Sequence, residues 1–445
     1  MVTDLTVDHP DRTLWRFVLP MFISVMFQQF YNIADSMIAG RFAGEDALAA
    51  VGASYPITVI FMAFAVGSNL GASVVVSRLF GARNTGRMKT AVYTAFIACG
   101  VMSAALTVMG YLYCKDLMAV IHTPDNIFAD GELYLKIYVY GLTFLILYNV
   151  CTGIFTALGD SRTPLYFLIG SSIGNIVLDY WFVAGLHMGV AGVAWATFLA
   201  QGLSAVLALG TLARRLKSME SSGRTELFDW RLLGQIAAIA VPSIMQQSVL
   251  SVGNMFVQEI VNRYGSAVIA GYSGAIKLNT FAVNGFMSLG GCLSGYTAQN
   301  LGAGKLSRLP MGFKTGVRLS LIASLPFVIL YFSFSRQMMG LFLGAESQQA
   351  IASGVEFLKI VSPWYFMISI KLMCDGVIRG SGAMLYFVMA TVPDLILRIA
   401  VANVLTRAFD SRGIWMAWPF GWIVATALTL FFYRRIVTGK YKIHM

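Results

Sequence analysis

The chain of 445 residues repeats itself, and this repeat limits what it can fold into more than any other feature. Pro20, Asn32, Arg41 and Gly52 recur 222 positions later as Pro242, Asn254, Arg263 and Gly274. Each matched stretch opens a long apolar segment in which proline and glycine interrupt a helical pattern. Two similar halves built from broken apolar helices are typical of membrane transporters whose binding site lies at the repeat interface.

The composition indicates a polytopic membrane protein. Hydrophobic residues make up 57% of the chain and charged residues 12%, whereas soluble domains contain roughly 45–50% and about 25%. Charge-poor runs of about 20 residues, the length that crosses a bilayer, are centred near residues 26, 60, 101, 146, 174, 203, 246, 288, 327, 366, 392 and 423. We therefore predict an all-α fold of twelve transmembrane helices, with six helices in each of two parallel lobes.

The positive charges predict the topology. Of the 32 Lys and Arg residues, 21 lie in segments that are cytoplasmic if the N-terminus is cytoplasmic, and the positive-inside rule then places both termini there. The acidic residues Asp4, Asp8 and Asp11 do not suit a secretory signal peptide, so the first span is expected to be retained. Because topology explains the net charge of +11, no nucleic-acid partner is expected.

Five segments follow from this topology. They are a cytoplasmic N-terminal tail (1–13), an N-lobe with six spans (14–214), a cytoplasmic inter-lobe loop (215–231), a C-lobe with six spans (232–434) and a cytoplasmic tail (435–445).

Polar residues inside the first and fifth spans form two stripes. Gln28, Tyr31, Asn32 and Asp35 share one helical face, and Asn175 and Asp179 are four residues apart on another. Ionisable residues in hydrocarbon are costly and mark functional sites. If the stripes meet, they form an oxygen-rich site for a proton or a sodium ion, because burial and a second carboxylate raise the pKa of a carboxyl group. Alternatively, each aspartate caps a broken helix or bonds a backbone amide.

The second half departs from this pattern. Val257 occupies the position of Asp35, and Asp394 and Arg398 stand approximately where Asn175 and Asp179 are in the first half. An Asp–Arg pair four residues apart neutralises itself and is a poor proton relay, so ion coupling is expected in the first lobe. Three further charges, Lys277, Lys371 and Asp375, either line a cavity or reach an interface.

No motif indicates catalysis or a bound cofactor. The five cysteines lack the CxxC spacing of zinc or redox sites. The chain contains no phosphate-binding GxxxxGK[ST] motif and no HExxH. We therefore expect neither an enzyme nor a cofactor, apart from a coupling ion.

Several motifs together resemble the multidrug and toxic compound extrusion (MATE) transporters, in particular their DinF-like branch. They are YNIADSMIAGRFAG after a proline-bearing first span, NIVLDYWF from Asn175, GVAGVAWAT from Gly189 and QNLGAGK from Gln299. The resemblance covers essentially the whole chain. It implies two six-helix lobes in a V shape, alternating access, and export of drugs or toxic organic cations in exchange for protons or sodium.

The resemblance also implies roles for particular residues. The coupling site of this branch falls on Asp35, Asn175, Asp179 and Thr197, which would also hold the metal ion if the coupling ion is sodium. Gln28, Tyr31 and Asn32 lie beside it as substrate-binding residues, and Pro20 matches the proline at which the first helix bends. We expect a monomer in the lipid bilayer of a prokaryotic plasma membrane.

Other functions are weighed against this one. A flippase for a lipid-linked precursor needs a strongly cationic cavity, for which Lys277, Lys371 and Arg398 are the candidates. An intramembrane enzyme lacks a catalytic motif, and a non-transporting receptor gives no reason for the internal repeat.

Overall fold

The computed structural model describes residues 4–38, 45–121, 123–343 and 347–439, without the side chains of 33–38 and 45–48. These residues form sixteen α-helices, and no β-strand occurs among them. The first half contains α1 (Pro10–Ile38), α2 (Glu45–Gly81), α3 (Thr85–Leu112), α4 (Cys114–Val120), α5 (Asp125–Tyr140), α6 (Leu142–Ala157), α7 (Arg162–Asp179) and α8 (Gly189–Ser218). The second half contains α9 (Trp230–Asn262), α10 (Ser266–Gly302), α11 (Arg308–Ser333), α12 (Ser335–Gly340), α13 (Gln348–Val361), α14 (Tyr365–Gly380), α15 (Met384–Phe409) and α16 (Arg412–Val437).

The two halves repeat element by element. Helices α2 and α10 both have 37 residues, and the short helices α4 and α12 occupy the same place in the order. Helices α5 and α6 meet at an angle of 47°, and a 3₁₀ turn, Ser362–Trp364, joins their counterparts α13 and α14. The sequence did not predict the short helices or these joints, and only the structure shows them.

The helices agree with the predicted membrane spans. Within the described residues, nine helices are long and apolar enough to cross a membrane, and the bent pair α5–α6 raises the number to ten. Helices α1 and α10 also have spanning length, but both carry polar stripes. Each of the twelve predicted centres lies in a different helix, which is consistent with twelve spans.

The chain packs as two compact units. The first contains Asp4 and Ile23–Met245, and the second contains Leu5–Phe22 and Gln246–Met445. Helices α1 and α9 are therefore each divided between the units, within four residues after Pro20 and Pro242. A proline inside a helix removes one backbone hydrogen bond, so each division lies next to a weak point in its helix. The predicted lobe limits, drawn at span ends, remain a prediction.

The N-terminal segment is held in the second unit through its backbone. The N–H of Leu5 donates to Oε1 of Gln299 at 3.1 Å, and its carbonyl accepts from Nδ2 of Asn300 at 3.2 Å. Nζ of Lys305 donates to the carbonyl of Thr6 at 2.9 Å. The Leu5 side chain is fully buried. The motif QNLGAGK thus binds this segment at the end of α10.

Candidate ion-coupling site

The buried polar residues of α7 lie at its C-terminal end. Asn175 and Asp179 are 2% and 1% exposed, and their spacing of four residues places them on one helical face. Helix α7 ends at Asp179, and the chain continues as a π-helical segment, Tyr180–Gly185. Single π-helical turns within helices are frequent at functional sites.

The side chain of Tyr31 joins this face from α1. Its hydroxyl donates a hydrogen bond to Oδ1 of Asn175, 144 positions along the chain. The two polar stripes therefore meet at this pair. Nδ2 of Asn175 is buried and has no hydrogen-bond partner among the described residues, so the amide has a donor remaining for a further ligand.

Four other residues of α1 were predicted to have a role: Pro20, Gln28, Asn32 and Asp35. Gln28 and Asn32 are exposed, and Pro20 is half-buried. The side chain of Asp35 lies outside the described residues, so its predicted place beside Asp179 stays a prediction.

Thr197, on α8, lines a separate small cavity. This cavity of about 10 Å³ has room for about one water molecule. Its lining consists of Tyr134, Ile137, Tyr138, Gly141, Ala194, Thr197, Phe198 and Gln201. Neither Asn175 nor Asp179 is among the described residues that line it. The grouping of Thr197 with the two α7 residues therefore stays a prediction, although α7 packs along α8.

Three polar residues of this cavity were missed by the sequence analysis. The rings of Tyr134 and Tyr138 are stacked with their centroids 6.3 Å apart, and Gln201 follows Thr197 by one helical turn. Thr197 and Gln201 are polar residues four positions apart in a largely apolar helix, and this spacing could have indicated the cavity from the sequence.

The aspartates in the spans of the second half form ion pairs. Asp394 accepts from Arg398 at 2.9 Å, and Asp375 from Lys371 at 2.7 Å. All four side chains are at most 7% exposed. The predicted pairing of Asp394 with Arg398 is confirmed, and Lys371 and Asp375 behave in the same way.

The surroundings of Arg398 fit a charged group. Its guanidinium lies 4.2 Å from the centroid of the Trp418 ring, a favourable cation–π distance. Gly421 leaves room for its partner, since a Cβ atom there would lie 2.2 Å from Oδ1 of Asp394. These contacts stabilise the pair in a single arrangement.

A further buried acid lies outside the spans, between α6 and α7. Asp160 is 1% exposed and pairs with Arg215 near the end of α8. It accepts hydrogen bonds from the backbone N–H and the hydroxyl of Thr163 at 3.1 and 2.7 Å. Burial by itself raises the pKa of this carboxyl group, but the hydrogen bonds from Thr163 and Arg215 outweigh burial and hold its pKa below the ordinary 3.8. This pair has a structural role, because it ties α7 to α8.

Comparisons with known proteins agree with this architecture. The family model described as MatE matches residues 20–181 and again 242–404, so its two matches begin 222 positions apart, as in the repeat. The chain is 26% identical to the probable multidrug resistance protein YoeA of Bacillus subtilis, covering 96% of this chain and 95% of that protein. It is 24% identical to the DNA damage-inducible protein F of Escherichia coli, covering 83% and 81%.

A solved structure shows the same fold. It is a MOP superfamily transporter from Pyrococcus furiosus, with a TM-score of 0.92 at 20% identity over 98% of both chains. At this identity the likeness concerns the fold alone. The repeated family match over most of the sequence establishes the relationship: this chain belongs to the MatE family, the multidrug and toxic compound extrusion (MATE) transporters.

Proposed function

We propose that this membrane protein is a secondary active multidrug exporter. It expels small organic compounds, often cationic, in exchange for protons or sodium ions by alternating access. The observation that carries the proposal is the buried face of α7, where Asn175 and Asp179 lie one turn apart and Tyr31 of α1 hydrogen-bonds Asn175. The names of relatives such as the multidrug resistance protein YoeA support the substrate class.

In this proposal Asp179 and Asp35 bind the coupling ion. A carboxylate in a low-dielectric site binds and releases a proton nearer to neutral pH than one in water. Because Tyr31 connects α1 to α7, a change of charge beside Asn175 changes the packing of α1. One proton that enters down a potential of 100 mV supplies about 2.3 kcal/mol, enough for a substrate gradient of roughly 40-fold.

The flippase alternative is not favoured. Two of the three cations it would use, Lys371 and Arg398, are buried in ion pairs with Asp375 and Asp394. Their charges are thus neutralised locally, and a diphosphate headgroup would have to displace those partners. Lys277, which is exposed, is a single charge.

The proposal extends to the location, topology and oligomeric state of the protein. The positive-inside distribution supports a plasma-membrane protein with both termini in the cytoplasm. Each chain carries both halves of the repeat, so we propose that it works as a monomer.

The test is efflux from vesicles that contain only this protein. Wild-type protein should export ethidium when a proton or a sodium gradient is imposed, and the gradient that drives efflux identifies the coupling ion. Asp179→Asn and Asp35→Asn should abolish gradient-driven efflux, because they keep size and hydrogen bonding but remove the charge. Asp130→Asn, at an exposed position on α5, should transport normally. Normal efflux by well-inserted Asp179→Asn and Asp35→Asn proteins would refute the coupling site.

A further inference from the structure

One face of α10 is polar along several turns. Ser273, Lys277 and Thr280 are exposed, and Asn284, next along the same face, is half-buried. Their spacing of three and four residues places all four within a narrow arc of the helix. The opposite face is packed into the second unit by Ala275, Leu278, Ala282, Phe286 and Leu289, all of them buried.

Lys277 lies at the start of the predicted span centred near residue 288 and about three turns inside α10. Eleven residues, or about 17 Å at 1.5 Å per residue, separate it from the start of α10 at Ser266. The residues between are almost all apolar or glycine. A charged residue flanked by polar groups in a membrane protein is favoured to face water rather than lipid. Lys277 is exposed, so we expect this face to contact water.

Lys277 lacks the ion pairing of three other cationic residues within the spans. Lys371 and Arg398 are each in an ion pair with an aspartate, and Lys136 pairs with Glu132 at 2.7 Å. Lys277 forms no ion pair with any carboxylate in the described part of the chain. It therefore presents an uncompensated positive charge on this exposed face.

The repeat provides an internal comparison. A shift of 222 positions relates Lys277 to Tyr55 of α2, and Asn284 to Met62. Tyr55, Met62 and the nearby Val66 are exposed, and the equivalent of Thr280 is again a threonine, Thr58. This face of α2 thus has a hydroxyl but neither a charge nor an amide at the positions of Lys277 and Asn284. Because helix packing is repeated but the lysine and the amide are not, these two groups are unnecessary for the fold.

We infer that Lys277 recognises an anionic group on the substrate, a carboxylate or a phosphate. An ammonium group donates charge-assisted hydrogen bonds to such oxygens, and the hydroxyls of Ser273 and Thr280 with the amide of Asn284 are further donors on the same face. Among the exported compounds, those that carry an anionic group, alone or beside a cationic one, are then bound more tightly. This inference rests on the proposed transport function and specifies its substrate class.

The test is equilibrium binding of fluorescein and of fluorescein methyl ester to the purified full-length protein, followed by fluorescence anisotropy. The two probes differ by one carboxylate. Wild-type protein should bind the free acid about 10-fold more tightly than the ester, as expected for one charge-assisted hydrogen bond. Lys277→Met should remove this preference and leave ester binding unchanged, and Lys277→Arg should retain it. Lys359→Met, at an exposed lysine on α13, is the control and should behave like wild type.

A second variant tests the inference even if Lys277→Met does not fold. Thr280→Val, which preserves shape and charge, should weaken binding of the free acid several-fold without affecting the ester. Displacement of fluorescein by benzoate or by phenyl phosphate distinguishes a carboxylate site from a phosphate site. Equal binding of acid and ester by wild-type protein, or an unchanged preference in Lys277→Met, would overturn the inference. Because binding is measured without an ion gradient, its failure is distinct from a failure of the efflux assay.

Discussion

The hydroxyl of Tyr31 donates a hydrogen bond to Oδ1 of Asn175, and this contact joins the first helix to the buried polar face of α7. Asn175 is 2% exposed, so water does not readily replace a lost partner. The contact therefore provides a direct path from the candidate coupling site to α1.

Removing this hydroxyl should impair transport more than stability. Hydrogen bonds between membrane helices contribute about 0.6 kcal/mol on average and at most about 1.7, so Tyr31→Phe should lower thermal stability only slightly. Its gradient-driven efflux should fall markedly, because α1 no longer follows changes at Asn175. Tyr166→Phe, at a position 67% exposed, is the matched control. Wild-type efflux by Tyr31→Phe would show that the contact is only structural.

Pro20 is predicted to act as a hinge in α1. Proline weakens the helix at this point, so two packings of α1 can lie within a few kcal/mol. Pro20→Ala should bind substrate nearly as wild type but turn over more slowly. Efflux rate and equilibrium binding are measured on the same preparation. Pro164→Ala is the control, because Pro164 lies in the first turn of α7, where the helix needs no N–H donor. An unchanged turnover number in Pro20→Ala would rule out the hinge.

The pair of Asp394 and Arg398 should show strong energetic coupling. Arg398→Leu leaves Asp394 buried without its partner and should cost about 3–5 kcal/mol of stability. Asp394→Leu should cost a similar amount, and the double variant much less than their sum. Unfolding of all three variants in detergent gives the coupling energy.

An exposed pair of the same geometry provides the control for this cycle. Glu259 and Arg263 are also four residues apart and in contact at 2.8 Å, but their side chains are 62% and 61% exposed. Their coupling energy should be about 0.3–0.5 kcal/mol. If the stability losses of Arg398→Leu and Asp394→Leu simply add up in the double variant, burial does not strengthen the interaction between Asp394 and Arg398.

The Asp160 carboxylate should make stability depend on pH in acid. Its pKa in the folded protein lies below the ordinary 3.8, so folding favours the charged form. The stabilisation is fully present above pH 3.8 and is lost as the pH falls further, through the pKa of the folded state. Asp160→Asn should therefore unfold at a lower temperature than wild type at pH 7, and the difference should shrink below pH 3.8. A difference that stays constant into acid would contradict this assignment. Asp130→Asn, exposed on α5, should show no difference at either pH.

The sequence by itself determined the features that depend on one helix at a time. Twelve apolar runs, the doubling of the chain and the ion pair between Asp394 and Arg398 could all be predicted, because hydrophobicity decides what enters the bilayer and a spacing of four residues decides which side chains meet on a helix. The shared face of Asn175 and Asp179 is of the same kind.

Only the tertiary structure decided which faces meet. The contact of Tyr31 with Asn175, the binding of Leu5 by Gln299 and the cavity around Thr197 join residues from different elements. So does the division of α1 and α9 between the two units. Helical periodicity shows which face of a helix is polar, but the partner of that face depends on packing over the whole unit. Such packing is a sum of many small contacts between residues far apart in the chain, and no local pattern records it.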